Sequence, residues 1–285
     1  MYTETINTLN DFSKLFQRIK RGELCADVDV SQYTFFNPKE ILMLTQFFVV
    51  QNCHDVNAGL LIGEENGWYL EAIHITEFCN TNYKNPVHQK RSISTAIPIR
   101  RISVSTMNAY INDALNFFSQ YCRGKDTTIL DLGISEIINN VNDHARSAYG
   151  AYIFSQYYKA TNQIKFAISD LGMGIPRTVN DFLQSQNQTL LSNIDALKWA
   201  VQLGKTTKSQ SYNKGFGLDN IISNLREIGT LEIYSNDVCC QLRKNGNLRF
   251  CSNPIADFIG TLIEVNVDIN DLELLDETIL EDFSF

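Results

Sequence analysis

The chain lacks the sequence features of exported, membrane-spanning and zinc-binding proteins. No stretch approaches the roughly 18 apolar residues of a membrane helix, and residues 1–7 contain no basic segment followed by an apolar one, so no export signal is predicted. The seven cysteines include no C-x-x-C pair and no histidine at zinc-ligand spacing. We therefore expect a cytoplasmic protein, with no membrane association, whose cysteines are buried or free thiols.

Cys239 and Cys240 are adjacent, which leaves a redox role and simple packing as alternatives. Neighbouring residues on a strand point to opposite faces, and this geometry favours packing.

The charge is unevenly distributed along the chain. The net charge of −8 argues against general nucleic-acid binding. Residues 268–285, the acidic tail, hold nearly all of the excess: Asp268, Asp271, Glu273, Asp276, Glu277, Glu281 and Asp282, with no base. Large apolar residues lie between these acids: Leu272, Leu274, Leu275, Ile279, Leu280, Phe283 and Phe285. Both a solvated tail and a docking segment fit this pattern, and we predict a segment that packs on its own chain or on a second copy.

The length of 285 residues predicts two domains. Residues 1–95 are predicted to form a small α/β domain. Pro38 suits a first helical turn, and an apolar helix is predicted over 40–51, a buried strand over 59–63 and a helix over 68–78. Residues 83–105, with clustered bases and two prolines, are interpreted as a connector.

Residues 25–80 weakly resemble STAS-like domains, in which a strand leads into a loop and helix that carries a phosphoacceptor serine. The corresponding stretch here, residues 36–39, has no hydroxyl. The resemblance therefore implies a docking or scaffold module and argues against phosphorylation at that position.

Polar residues one turn apart mark the next predicted helix, over 131–145. Glu136, Asn140 and His144 share one face, opposite an apolar face that contains Ile134 and Val141. An Asn140 oxygen can bind a hard cation such as Mg²⁺ together with phosphate oxygens, and Glu136 can orient or deprotonate a water beside a γ-phosphate.

Two extended runs, 151–158 and 164–169, predict a hairpin turning near Asn162. The second run leads into Asp170, Gly172 and Gly174. An aspartate at a strand end can accept hydrogen bonds from an adenine amino group, and the glycines let the backbone approach the base. Arg177 excludes a Rossmann fingerprint.

A helix over 193–203 precedes a polar, basic and hydroxyl-rich segment, 204–214, suited to a mobile lid over phosphates. It contains the candidate binding residues Gly204, Lys205, Thr206, Thr207, Lys208 and Lys214. Gly215, Phe216, Gly217 and Leu218 follow, and a helix is predicted over 219–228. Backbone amides at such a glycine-rich helix start can bind phosphates.

In order and spacing, these blocks resemble the GHKL ATPase domain shared by gyrase, MutL, histidine kinases and anti-sigma-factor kinases, over residues 106–267. Glu136 and Asn140 match its N box, Asp170 to Gly174 its G1 box, and Gly215 to Gly217 its G2 box. The predicted strands 229–235 and 260–265 also fit. The Asn-x-x-x-His-Ala sequence that ends at residue 145 is most similar to the anti-sigma-factor kinase branch.

The resemblance implies an α+β fold, with a mixed sheet that carries helices on one face over residues 96–267. It also implies that this domain binds ATP and Mg²⁺. It implies Glu136 as the catalytic residue, Asn140 as the Mg²⁺ ligand, and Ile175 and Thr261 among the nucleotide-binding residues. His144 is either a phosphate or lid contact or a helix-end residue favoured by the dipole. Asp219 replaces a glycine found in many members, and its charge would repel phosphate unless Lys208 or Lys214 offsets it.

A GHKL fold is compatible with several activities. We favour a Mg-ATP-dependent regulatory switch with slow hydrolysis, controlling a protein partner, with a homodimer as one possible state. The alternatives are an anti-sigma-type serine/threonine kinase acting on a partner, or a nucleotide-binding scaffold without turnover. A histidine kinase is least favoured, because His54, His74 and His88 precede the ATPase domain outside any dimerising helix pair.

Overall fold

The computed structural model describes residues 2–23, 26–84, 93–144, 147–202 and 218–275, without the side chains of residues 26 and 142–144. The fold is α+β, with a four-stranded parallel sheet and a seven-stranded antiparallel sheet. None of the helices in these ranges is long and apolar enough to cross a membrane.

The parallel sheet, in strand order β1-β2-β3-β4, belongs to the first part of the chain. Its elements are β1 (Tyr2–Thr5), α1 (Phe12–Arg21), β2 (Ala26–Asp29), α2 (Pro38–Cys53), β3 (Gly59–Leu61), α3 (Glu64–Ala72) and β4 (Asn80–Thr81). The predicted start of α2 is confirmed. Pro38 occupies the first turn, and Asn37 and Glu40 form a capping box that satisfies free amides there.

The seven-stranded sheet has the order β10-β9-β8-β11-β7-β6-β5. Its strands are β5 (Ala96–Ile102), β6 (Ala151–Tyr158), β7 (Gln163–Asp170), β8 (Gly229–Ser235), β9 (Val238–Leu242), β10 (Leu248–Ser252) and β11 (Thr261–Asp268). The helices of this part are α4 (Met107–Ser119), α5 (Thr128–His144), α6 (Ile175–Ser185), α7 (Asn193–Ala200) and α8 (Leu218–Leu225).

The expectation of a mixed sheet is wrong for the described strands, which pair antiparallel throughout. The strands β6 and β7 form the predicted hairpin, with Asn162 in a left-handed conformation at its turn. The strands β8, β9 and β10 are also joined in succession, and β11 returns antiparallel to both β7 and β8, so no parallel pair arises.

The interpretation of residues 83–105 as a connector is also wrong in part, because β5 lies within it and forms one edge of the sheet. Ile97, Ile99 and Ile102 are buried, but the adjacent Arg100 and Arg101 interrupt the apolar pattern in the sequence. Pro98 is tolerated because an edge strand leaves one side unpaired.

Both faces of the seven-stranded sheet are covered. The helices α4, α5 and α8 share one apolar core with one face, as expected. The other face packs against α2, which is buried around most of its circumference and separates the two sheets. The expectation that the helices lie on one face of the sheet therefore holds for the second part of the chain. The first part of the chain forms the layer on the opposite face.

The expectation that all cysteines are thiols is corrected for one pair. Cys239 and Cys251 lie directly opposite each other on β9 and β10 and form a disulfide. Cys240 remains a free thiol and packs in the core on the other face, so the predicted opposite orientation of Cys239 and Cys240 is confirmed.

Candidate functional site

Three polar side chains form a row across neighbouring strands at one end of the seven-stranded sheet. Thr261 of β11 is in register with Asp170 of β7 on one side and with Ser235 of β8 on the other. Side chains alternate between faces along a strand, and Ile168 and Ile263, two residues away, belong to the core beneath α5 and α8. The row therefore points to the face that carries α5 and α8.

Asp170 is the acidic member of this row, and its pKa is strongly shifted. Its side chain is only 1% exposed, and burial raises its pKa to about 7. The Gly172 amide donates to one carboxylate oxygen at 2.6 Å and partly opposes that rise. A carboxylate held this way is a strong acceptor for a donor group that reaches its other oxygen.

The glycine segment after Asp170 is held by Ser235 and Asn236, two residues that sequence reasoning missed. The Ile175 amide donates to Ser235 Oγ at 2.8 Å, and Asn236 Nδ2 donates to the Met173 carbonyl at 2.9 Å. Gly174 has a φ of 78°, and a Cβ there would lie 2.4 Å from Asn236 Nδ2. The segment therefore requires glycine for both conformation and space. The available signal was the position of Ser235 at the end of a correctly predicted strand.

The start of β11 is fitted equally closely against Asp170. Gly260 has a φ of 87°, and a Cβ there would lie 2.1 Å from the Asp170 carbonyl oxygen. Ser235 Oγ lies 3.1 Å from the Gly260 carbonyl and 3.3 Å from Thr261 Oγ1. Backbone and hydroxyl groups thus join the three strands at the polar row.

On the opposite face of the sheet, α2 contacts the strands directly behind the polar row. Ser169 Oγ donates to Gln46 Oε1 of α2 at 2.9 Å and lies 3.2 Å from the Thr261 carbonyl. Gln46 is buried, and its Nε2 has no hydrogen-bond partner in the described part of the chain. The first part of the chain therefore contacts the sheet directly behind Asp170 and Thr261.

The predicted Glu136–Asn140 face lies on α5, as expected. Ile134, Ile138 and Val141 of this helix pack in the same core as Ile168 of β7, so α5 covers the face to which the polar row points. Glu136 and Asn140 are half-buried. His144 is the last residue of α5, and its side chain lies outside the described ones.

Most of the predicted phosphate-binding residues lie outside the described ranges. These are Gly204, Lys205, Thr206, Thr207, Lys208, Lys214, Gly215, Phe216 and Gly217. Leu218 is described and is the buried first residue of α8. Asp219 follows in the first helical turn, where an acid stabilises the helix.

No group of three or more His, Cys, Asp or Glu side chains among the described residues could hold a metal ion. Asn140 was predicted to bind Mg²⁺ together with phosphate oxygens, an arrangement that needs no such cluster.

No protein-family model matches the chain, and no curated protein shows significant similarity to it. The resemblance to GHKL ATPases therefore depends on the residues described above.

Proposed function

We propose that the chain is a GHKL-type ATP-binding protein that acts as a Mg-ATP-dependent regulatory switch with slow hydrolysis. The observation that carries this proposal is the buried Asp170 at a strand end, in register with Thr261 and on the sheet face covered by α5. The close packing of Gly260 on the Asp170 backbone, and of Gly174 on Ser235 and Asn236, fixes the chain on both sides of this row.

The polar row suits an adenine base. The Asp170 oxygen that does not accept from the Gly172 amide can accept a hydrogen bond from an exocyclic amino group, and Thr261 supplies a hydroxyl beside it. Such a donor stabilises the ionised carboxylate and so lowers the raised pKa of Asp170. Asp170 is nearly fully buried, so neighbouring groups must move aside when a base enters.

The polar face of α5 suits the phosphate end of the ligand. Asn140 would contribute an oxygen to Mg²⁺, and Glu136 would orient and deprotonate a water. Bound Mg²⁺ would neutralise phosphate charge. The half-buried position of both side chains is compatible with these roles.

The first part of the chain favours a switch over the alternatives. It contacts the polar row from behind through Gln46 and Ser169, which provides a direct route between nucleotide binding and this layer. Residues 36–39 offer no hydroxyl for phosphorylation. His54 lies at the end of α2, and His74 lies just before a short 3-10 helix. Neither position is within a pair of dimerising helices, and this does not favour a histidine kinase.

Incubation of the full chain with γ-labelled Mg-ATP, alone and with co-purifying proteins, tests the proposal. Release of free phosphate is expected for the switch. Label on a partner protein would support the serine/threonine kinase instead, and binding without either would support the scaffold. Failure to bind ATP at all would contradict all three.

A further inference from the structure

The disulfide between Cys239 and Cys251 lies at one edge of the seven-stranded sheet. The two residues are directly opposite each other on β9 and β10, and β10 is the outermost strand on this side of the described sheet. Cys239 is fully buried, whereas Cys251 is half-buried. Cys240 packs in the core on the other face and so cannot exchange with either partner. The bond is therefore most accessible to an external thiol at Cys251.

Reduction of this bond should leave the strand pair itself intact. All five residues of β10 are in register with β9, and a connection of only five residues, 243–247, joins the two strands. Backbone hydrogen bonds along this pair persist without the covalent link. The fold can therefore exist in both redox states, and the difference between them is how firmly the edge strand is held.

The end of β10 is connected by hydrogen bonds to the turn between β8 and β9. Asn236 and Asp237 form this two-residue turn. The Asn253 amide donates to the Asp237 carbonyl at 2.8 Å, and Asn253 Nδ2 donates to the Asn236 carbonyl at 2.8 Å. Asp237 and Asn253 each lie two residues from a cysteine of the disulfide. The disulfide and these hydrogen bonds together therefore close a small ring that holds the turn.

The Asn236 side chain extends this restraint to the polar row. Its Nδ2 donates to the Met173 carbonyl at 2.9 Å, and its Oδ1 accepts from the Gly260 amide at 3.1 Å. Met173 belongs to the glycine segment that follows Asp170, and Gly260 directly precedes Thr261. One side chain thus connects the ring at the disulfide to the backbone beside both Asp170 and Thr261.

We propose that the Cys239–Cys251 disulfide is reversibly reduced by a dithiol and that its oxidised state holds the polar row in its ligand-binding shape. In the reduced state β10 and Asn253 open more often, so Asn236 holds the glycine segment less firmly. Ligand binding must then order this segment again, which weakens it. The effect on binding rests on the proposed function, whereas the effect on the glycine segment does not.

The exchange reaction transfers two electrons from the dithiol to the disulfide. A thiolate of the dithiol attacks Cys251 Sγ, and the sulfur–sulfur bond breaks with its electron pair passing to Cys239 Sγ, which takes up a proton. The second thiolate of the dithiol then attacks the mixed disulfide. This step closes the oxidised, cyclic form of the reagent and releases Cys251 as a thiolate, which also takes up a proton. The reverse reaction needs a disulfide oxidant.

Thiol counting in the full chain tests whether the bond is reversible. Treatment of the folded protein with dithiothreitol should release two further thiols, which alkylation and peptide mass spectrometry should assign to Cys239 and Cys251. Removal of the reagent and addition of oxidised glutathione should form the bond again. Failure to form the bond under oxidation, or reduction only in denaturant, would overturn the proposal.

Hydrogen exchange compares the two redox states without any ligand. Reduction should speed exchange several-fold in 248–254 and in 171–176, the glycine segment. Exchange in α4, which contacts β5 at the opposite edge of the sheet, should not change and serves as the check on folding. Faster exchange confined to 248–254 would show that the polar row does not respond to the bond, and it would overturn the proposal.

Substitutions identify the cysteines that are responsible. Cys251→Ser removes the bond and leaves the buried Cys239 in place, so it should exchange like the reduced protein with or without dithiothreitol. Cys53→Ser, at an exposed free thiol at the end of α2, is the matched control and should keep the full response. A response that persists in Cys251→Ser, or that disappears in Cys53→Ser, would assign the effect to another thiol and overturn the proposal.

Calorimetric titration of Mg-ATP into both redox states tests the effect on binding. The reduced protein and Cys251→Ser should bind several-fold more weakly than the oxidised protein. By linkage, saturating Mg-ATP should shift the thiol–disulfide equilibrium toward the disulfide by the same factor. Equal affinity in both states would overturn the redox control of binding. Absence of binding in both states would contradict the proposed function, and the ligand-free exchange comparison would still decide whether the disulfide acts on the glycine segment.

Discussion

At the scale of single residues, Asp170 is the proposed adenine contact, and its burial makes the stability of the fold depend on pH. Its pKa in the folded chain is about 7, above the value of about 3.9 for an unfolded aspartate. The folded state therefore holds this proton more tightly than the unfolded state does. The stability from this group is fully present below about pH 4 and is lost as the pH rises through 7.

Asp170→Asn should therefore stabilise the free protein at neutral pH, because the amide carries no charge to bury. The difference in the free energy of unfolding between variant and wild type should grow from pH 4 to pH 7 and then level off. Over this range the difference in the free energy of unfolding should increase by an amount on the order of a few kcal/mol, since one pKa unit corresponds to about 1.4 kcal/mol. Denaturant unfolding across this range measures it, and a constant difference would show that Asp170 keeps an ordinary pKa.

Glu136 is expected to act in turnover rather than in binding. Glu136→Ala should reduce phosphate release by about 10²–10⁴-fold while ATP still binds, because positioned proton transfer has this typical size. Parallel binding and phosphate-release assays separate the two effects. Glu227→Ala, an exposed acid beyond α8, is the matched control. Unchanged release by the Glu136 variant would point to another base or to a contaminating enzyme.

The positions of Asp170 at a strand end and of Glu136 and Asn140 on one helix could be predicted from the sequence because their signals are local spacings. Ser235, Asn236 and Gln46 could not, because their roles depend on contacts between distant segments. Ser235 reaches Asp170 only through the register of β8 with β11, and Gln46 lies 123 residues from Ser169 along the chain.

At the scale of elements, continuous local patterns predicted boundaries well. The strand β8 and the hairpin of β6 and β7 follow the predicted ranges closely. The strand β5 was missed because Pro98, Arg100 and Arg101 give a loop-like local pattern. Its core contacts depend on its position at the edge of the sheet, which the local pattern does not show. Strand pairing, and hence the fully antiparallel sheet, depends on where β11 inserts, which no local pattern specifies.

The junction between β11 and Asp170 gives a test at this scale. Gly260→Ala should destabilise the fold by more than Gly124→Ala. Both glycines have positive φ, 87° and 70°, but only the Gly260 Cβ would meet backbone atoms of Asp170 and Leu171. The strain of placing an alanine at positive φ is common to both variants. The difference between their thermal stabilities therefore measures the steric clash at Gly260. Equal losses of stability would show that the junction has room to adapt.

At the scale of the whole molecule, α2 joins the two sheets, and a buried charge cluster lies at its start. Lys39 Nζ lies 2.5 Å from Glu232 and 3.3 Å from Glu264, both on the seven-stranded sheet. Burial raises the pKa of the nearby Glu40 to about 7, with a further contribution from Glu264. Lys39 is therefore the main positive charge that offsets three carboxyl groups at this interface.

Lys39→Met should cost on the order of 3–5 kcal/mol at pH 8, because it leaves buried carboxylates without their counter-charge. The cost should shrink as the pH falls through 7 and Glu40 takes up a proton. Lys20→Met is the control, since Lys20 also bridges the two parts of the chain, to Asp257 at 2.6 Å, but is 63% exposed. That change should cost about 1 kcal/mol or less. Similar losses for both variants in denaturant unfolding would contradict the account of the cluster.

Calorimetric titration of Mg-ATP into the full chain tests the central claim most directly. The wild type and Asp181→Asn, a control at an exposed acid on α6, should bind with the same affinity. Asp170→Asn should bind about tenfold more weakly or worse, because a donor replaces an acceptor that faces the adenine amino group. Equal affinity in all three proteins would remove Asp170 from the site, and no binding by the wild type would contradict the proposed function itself.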